Sequence, residues 1–178
     1  MTLLFSVILT GVLWFAAIPG FGQIFSGAVP QNLGVTDQQL APCPDSPNCV
    51  TSQAPVGDKD HYIAPLTYEG DLTEIRGAAR QTAKAQIVKI LGIVPRTEIV
   101  AQTDDYIRAE SKSRLMGFVD DLEFYFPPDQ NIIEWRSASR LGESDLGVNR
   151  RRLEQIRLAL ADLTEVAPKN WTGEKALN

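Results

Sequence analysis

Between Phe118 and Arg157 the chain reads FVDDLEFYFPPDQNIIEWRSASRLGESDLGVNRRRLEQIR, a stretch dense in side chains able to do chemistry. Asp120, Asp121 and Glu123 are a candidate acid–base set, since glycosidic hydrolysis needs two carboxylates flanking one bond. Arg136, Arg140 and Arg150 are candidate anion clamps, with Ser137, Ser139, Asp145 and Asn149 as hydrogen-bonding company. Geometry tempers the first idea. Neighbours on a β-strand point to opposite faces, so Asp120 and Asp121 cannot flank one bond if they lie on a strand. No G-x-S-x-G elbow, H-E-x-x-H, phosphate loop or G-x-G-x-x-G occurs. The only histidine, His61, lies in a proline-rich segment well before this stretch, so a Ser-His-Asp triad would have to reach back to it.

The elements that must hold these groups can be read from periodicity. Phe118–Phe126 and Asn131–Ser139 alternate as strands and form a hairpin over Pro127-Pro128-Asp129-Gln130. One face takes Phe118, Asp120, Leu122, Phe124 and Phe126; the other takes Val119, Asp121, Glu123 and Tyr125. With Phe126 opposite Asn131, Leu122 meets Trp135, Asp120 meets Ser137 and Asp121 meets Arg136. A carboxylate on an apolar face must be hydrogen-bonded or paired, and Arg140, Arg114 and the serines at 137 and 139 are the nearest partners. Two readings follow: a buried Asp120–Arg140 pair that fixes strand register, or a polar pocket at the sheet edge. Gly142 and Gly147 suit a turning loop, and Ser144 or Asp145 caps a helix that starts between Asp145 and Arg150. Arg150, Arg151 and Arg152 near the positive end of that helix imply carboxylate partners, an anionic ligand, or a solvated face.

Further back, Asp71 and Glu74 make a capping box for a helix with Leu72, Ile75, Ala79, Ala83, Ile87 and Leu91 on one face, ended by Gly92 and Pro95. Thr97–Thr103 and Asp105–Ser111 are short strands. Leu153, Ile156, Leu160 and Leu163 mark the second amphipathic helix. The order predicts an α+β domain: an antiparallel sheet of about four strands with two amphipathic helices packed on one face, preceded by a Pro-rich strap. The expected division is 1–28 as signal peptide or membrane anchor, 29–40 as linker, 41–166 as the domain and 167–178 as a tail. Asn170-Trp171-Thr172 in that tail matches the glycosylation pattern, most simply by chance.

The chain has 178 residues, is 44% hydrophobic and carries a net charge of -5. That suits one soluble domain and argues against nucleic acid as a partner. No ionisable side chain occurs from Met1 to Thr36, and Leu3–Ile18 is almost wholly apolar. Cleavage after Ser26-Gly27-Ala28 would release Val29; an uncleaved Leu3–Phe25 is long enough to anchor in a bilayer. Either way the body is exported, and the membrane is reached only through this segment. Cys43 and Cys49 enclose a turn-rich loop, and a disulfide there is worth about 2 kcal/mol. Zinc with His61 is the alternative, though the spacing exceeds that of a knuckle. No metal or cofactor is expected.

The segments Cys43-Pro44-Asp45-Ser46-Pro47-Asn48-Cys49-Val50, Gly117–Phe124, Arg136-Ser137-Ala138-Ser139-Arg140 and Ser144–Arg152 resemble the uncharacterised-domain family DUF1499 in sequence and in order. The resemblance runs from about Cys43 to Leu160. It implies a bacterial, cyanobacterial or plant setting, and so the periplasm or the thylakoid lumen, and it implies no particular activity. The combined expectation is an exported, non-enzymatic binding or assembly-accessory protein. Its partner would be a small anionic ligand or an envelope or thylakoid protein complex. The alternatives are an enzyme on an anionic or carbohydrate envelope substrate, with Asp120 as acid or base and Arg140 as clamp, and a lipid- or pigment-binding module with a cavity between sheet and helices.

Overall fold

The computed structural model describes residues 25–68 and 78–166. Short strands β1 (Cys49–Thr51) and β2 (Leu66–Thr67) precede helix α1 (Ala78–Leu91). Strands β3 (Thr97–Gln102), β4 (Tyr106–Lys112), β5 (Val119–Tyr125) and β6 (Ile132–Ser139) follow, then helix α2 (Val148–Val166). The fold is α+β. Its antiparallel sheet has six strands in the order β1-β6-β5-β4-β3, with β2 also paired to β6. The expectation of about four strands fell short because β1 and β2 come from the proline-rich segment. Strands of two or three residues are too short for alternation to register.

The apolar periodicity that forms the helices is the one they bury. α1 sinks Ala83, Ile87, Ile90 and Leu91, and α2 sinks Leu153, Ile156 and Leu160. Both lie on the sheet face that presents Ile107, Ala109, Leu122, Phe124, Ile133 and Trp135. A fully buried Leu, Ile or Phe contributes about 1.5–3 kcal/mol, so this layer supplies the main driving force. Gly92 ends α1, its N–H still bonded to the Val88 carbonyl at 3.0 Å. The proposed capping box at Asp71 and Glu74 lies outside the described residues, as do Trp171 and the tail.

The hairpin register differs from the one expected. Asp120 pairs with Ser139, Leu122 with Ser137, Glu123 with Arg136 and Phe124 with Trp135. This is a slip of two residues, which keeps every side chain on its expected face and changes every partner. Pro127 and Pro128 supply no N–H to the ladder, so the turn opens wider than the four residues assumed.

The second face of β5 is not solvated: the whole strand is buried. Val35 and Leu40 pack there against Tyr106 and Tyr125. The backbone N–H of Gly34 donates to Glu123 Oε1 at 2.8 Å. Residues 34–40 therefore cover a face rich in charge, and that face must satisfy its charges internally.

Candidate functional site

Alternation along β5 splits the carboxylates into two networks, one on each side of the sheet. Beneath the helices, Asp120 accepts Ser139 Oγ at 2.6 Å and Arg152 Nη2 at 2.8 Å. Arg152 Nη1 also donates to Asn149 Oδ1 at 3.1 Å, and Ser137 Oγ donates to the same oxygen. Asn149 Nδ2 donates to the Asn48 carbonyl and to Ser139 Oγ, each at 3.0 Å. Asn149 is wholly buried, so its amide is the hub that ties β6, α2 and the cysteine loop together.

The local sequence explains how the hub is placed. Asp145 caps α2, its carboxylate accepting the N–H of Gly147 at 2.8 Å and of Asn149 at 2.7 Å. Gly147, at φ 74°, makes the left-handed turn into the helix. Cys43 and Cys49 form a disulfide with a Cα–Cα distance of 5.6 Å. It closes the loop that carries Asn48, and Cys49 then starts β1 opposite Ala138. The zinc alternative is overturned because the cysteines are bonded to each other. His61 holds Asp58 through Nδ1 at 2.8 Å and faces the Ser46 carbonyl through Nε2 at 3.3 Å. That hydrogen bond to Asp58 raises the His61 pKa above its ordinary value and lowers that of Asp58.

On the opposite face, Arg140 grips Asp121 through two bonds of 2.8 and 2.9 Å and reaches Glu110 as well. Bonding to Asp121 above all raises the Arg140 pKa, so this guanidinium stays charged at any working pH. Arg108 lies 3.6 Å from Asp121 and 3.7 Å from Glu110. Next along the sheet, Glu123 is wholly buried and accepts Arg136 Nη1 at 3.0 Å and the Tyr106 hydroxyl at 2.7 Å. Burial, reinforced by the Glu123 charge, pushes the Tyr106 phenol well above its usual pKa. Arg136 Nε is buried and has no hydrogen-bond partner among the described residues. The Arg136 residue helps to line a pocket of about 370 Å³ shared with Asn32, Cys43, Asp121, Ser139 and Arg140.

The expected Asp120–Arg140 pair does not form. β5 and β6 send Asp120 to the helix side, where Arg152 meets it, and Arg140 to Asp121. Asp121 was also expected opposite Arg136, which pairs with Glu123 instead. Arg150 stands apart, donating to the carbonyls of Tyr62 at 2.7 Å and Asp60 at 3.0 Å. Arg114 is exposed and does not reach Asp120 in any bond of the described residues. Sequence reasoning named Arg152 only as one of three arginines wanting carboxylate partners, without its partner Asp120, and did not place Tyr106, Glu110, Arg108 or Asn48 in the site. The place of Arg152 was findable: with the helix running from Val148, Asn149 and Arg152 are three residues apart and share a face.

Among the described residues no group of three or more His, Cys, Asp or Glu is placed to hold a metal ion. No helix among them is long and apolar enough to cross a membrane, and the apolar leader lies outside them. No curated protein and no solved structure matches the chain. The family profile described as "Protein of unknown function (DUF1499)" matches residues 39–160, which include every residue of both networks except the Gly34 N–H. With the match spanning most of its length, the chain belongs to the DUF1499 family.

Proposed function

We propose that this is an exported, non-enzymatic binding protein of the periplasm or thylakoid lumen that holds one anionic group over Arg136. The group would belong to a small ligand or to an acidic side chain of an envelope or thylakoid protein complex. The observation that carries this reading is Arg136, whose Nε is a buried donor without a partner among the described residues and whose side chain helps to line a pocket with its other charges already balanced. An unmade hydrogen bond at a buried donor costs about 1–3 kcal/mol, and an anion entering the pocket would recover that cost.

Catalysis has less support. Asp120, Asp121 and Glu123 each hold an arginine, and Ser137 and Ser139 donate their hydroxyls within the network. A general acid, base or nucleophile must be free to exchange its proton with a substrate. A lipid or pigment cavity is also disfavoured, because Leu122, Phe124, Trp135, Ile87, Leu153 and Ile156 fill the layer between sheet and helices.

We take the leader to be retained as an anchor, its last residues lying against the domain. A Cβ added at Gly27 would come within 2.8 Å of Arg140 Cβ, and the Phe25 ring lies 5.4 Å from that of Phe118.

The test is native mass spectrometry of protein isolated from its own envelope fraction, as wild type and as Arg136→Lys. Lysine keeps the charge facing Glu123 and deletes the Nε donor. The wild type is expected to retain a small anion or an acidic partner that the variant loses, with both proteins equally folded by thermal melting. Identical spectra, or a wild type that carries nothing, would sink the proposal. The same spectrum gives the starting residue.

A further inference from the structure

At the end of the sheet where β4 and β6 finish and β5 begins, three loops carry apolar side chains into solvent. Leu115 is 89% exposed, Leu146 83%, Ile93 76% and Met116 47%. A closed turn holds the 113–118 loop in shape, the Ser113 N–H donating to the Phe118 carbonyl at 2.8 Å and the Phe118 N–H to Ser113 Oγ at 3.0 Å. These tips are thus presented by ordered backbone.

Beside them lies a pocket of about 420 Å³ whose lining includes Arg96, Lys112, Arg114, Arg151 and Arg152, with Asp120 as its carboxylate. Only Arg152 spends its charge there, on Asp120. Arg96 and Arg151 bond the backbone carbonyls of Lys112 and Leu146, and Lys112 and Arg114 have no salt-bridge partner among the described residues. So concentrated a positive site is unexpected in a chain of net charge -5. Against it stand Glu143, which is exposed, and Asp145, whose oxygens are occupied in capping α2.

The apolar leader arrives at this same end. Phe25, the last residue of the apolar segment, packs on Phe118, and Gly27 lies against Arg140 and Leu141. We propose that this end is a membrane-docking face, with Leu115, Met116 and Leu146 entering the headgroup layer of an anionic bilayer and the basic pocket taking a lipid phosphate. Apolar tips ringed by cations are the combination that binds a charged lipid surface, each component contributing separately. A bilayer suits this face better than a soluble protein does, because the chain's apolar segment ends here, at Phe25 against Phe118. The pocket at Arg136 is lined by a different set of residues, so an anchored domain could dock through one while the other stays open.

The inference rests on retention of the leader, and an intact mass beginning at Val29 would remove that premise by itself. Docking is tested separately with the full chain reconstituted in phosphatidylcholine vesicles containing about one-third phosphatidylglycerol, an anionic surface. The native cysteines are paired, so a fluorophore can be attached at Leu115→Cys or, in the turn at the opposite end, at Asp129→Cys. The label at 115 is expected to shift to the blue and be quenched by spin-labelled lipid, while the label at 129 stays water-like. Combining Lys112→Gln, Arg114→Gln and Arg151→Gln should lower the docked-to-undocked ratio roughly a hundredfold, about fivefold for each cation removed. A label at 115 that remains water-exposed in an inserted chain overturns the docking and leaves the face to a protein partner. Undiminished quenching in the triple variant, or equal quenching without phosphatidylglycerol, overturns the role of the basic pocket.

Discussion

Glu123→Leu should be among the most damaging single substitutions in the domain, for reasons that can be worked out from its surroundings. The carboxylate is wholly buried and accepts bonds from Arg136, Tyr106 and the Gly34 backbone. Leucine removes both acceptor oxygens, and with them all three bonds, and leaves the Arg136 charge buried, with 6% of its surface exposed. Breaking one side of a buried pair costs about 3–5 kcal/mol, chiefly because the remaining charge is uncompensated. In a domain of this size that amounts to a fall in Tm of roughly 10–20 °C. The double variant Glu123→Leu, Arg136→Met deletes both charges and should recover most of the loss, because well-packed apolar side chains often replace a buried pair at little cost. Urea denaturation of the three proteins, with the disulfide intact, measures both numbers. A single variant within about 1 kcal/mol of wild type would refute the claim that the second face of β5 is held by internal charge pairing. A double variant as unstable as the single would instead assign the loss to Tyr106 and Gly34.

The His61–Asp58 pair predicts a pH dependence with a definite sign. A raised histidine pKa contributes stability that is complete below the ordinary value of about 6.5 and is lost as pH rises through the raised one. The lowered Asp58 pKa contributes stability present above the usual carboxylate range and lost as pH falls through the lowered value. Wild type should therefore lose stability on passing from about pH 6 to pH 8, and His61→Asn should remove that slope, as read from denaturation midpoints. Parallel curves would show that the contact is immaterial. Asp145→Ala should cost about 0.5–2 kcal/mol through loss of the α2 cap, and Asp145→Asn, which keeps one acceptor oxygen for one of the two N–H groups, should recover part of it. Equal losses in the two variants would place the effect elsewhere than in capping.

What the sequence disclosed and what it hid divide along a physical line. β3, β4, β5, β6 and α2 were legible because one face of each is apolar and the other polar over enough residues for a period to show. The disulfide was legible from the tight, turn-rich spacing of Cys43 and Cys49. Burial of the second face of β5 was not. Asp121, Glu123 and Arg136 on a strand look the same in sequence whether they are solvated or covered by residues 34–40 and paired with one another. The pairings were lost for a related reason. Register depends on the width of a proline-containing turn, and two residues there exchange Ser137 for Ser139 opposite Asp120. Of the candidate residues, Asp145 caps α2 and Arg150 holds the Lys59–Tyr62 backbone, while the others fall in the two networks.

That outcome redirects the search for function. Asp120 and Asp121 are sequence neighbours, yet each serves a network on its own side of the sheet, so no substrate bond can lie between them. The segments that carry the family resemblance are accounted for largely by mutual bonding, through Asn48, Asp120, Asp121, Glu123, Ser137, Ser139, Arg140, Asn149 and Arg152. Side chains satisfied by one another specify a fold, because removing any member strands a buried polar partner. They have little left with which to bind anything else. Donors left unspent include Arg136 Nε, on a residue that lines one pocket, and Lys112 and Arg114, which line another; Arg80 Nε is a further buried donor without a partner among the described residues. Function in this chain is therefore to be sought at the margins of the charged core, in the positions its internal pairing leaves over.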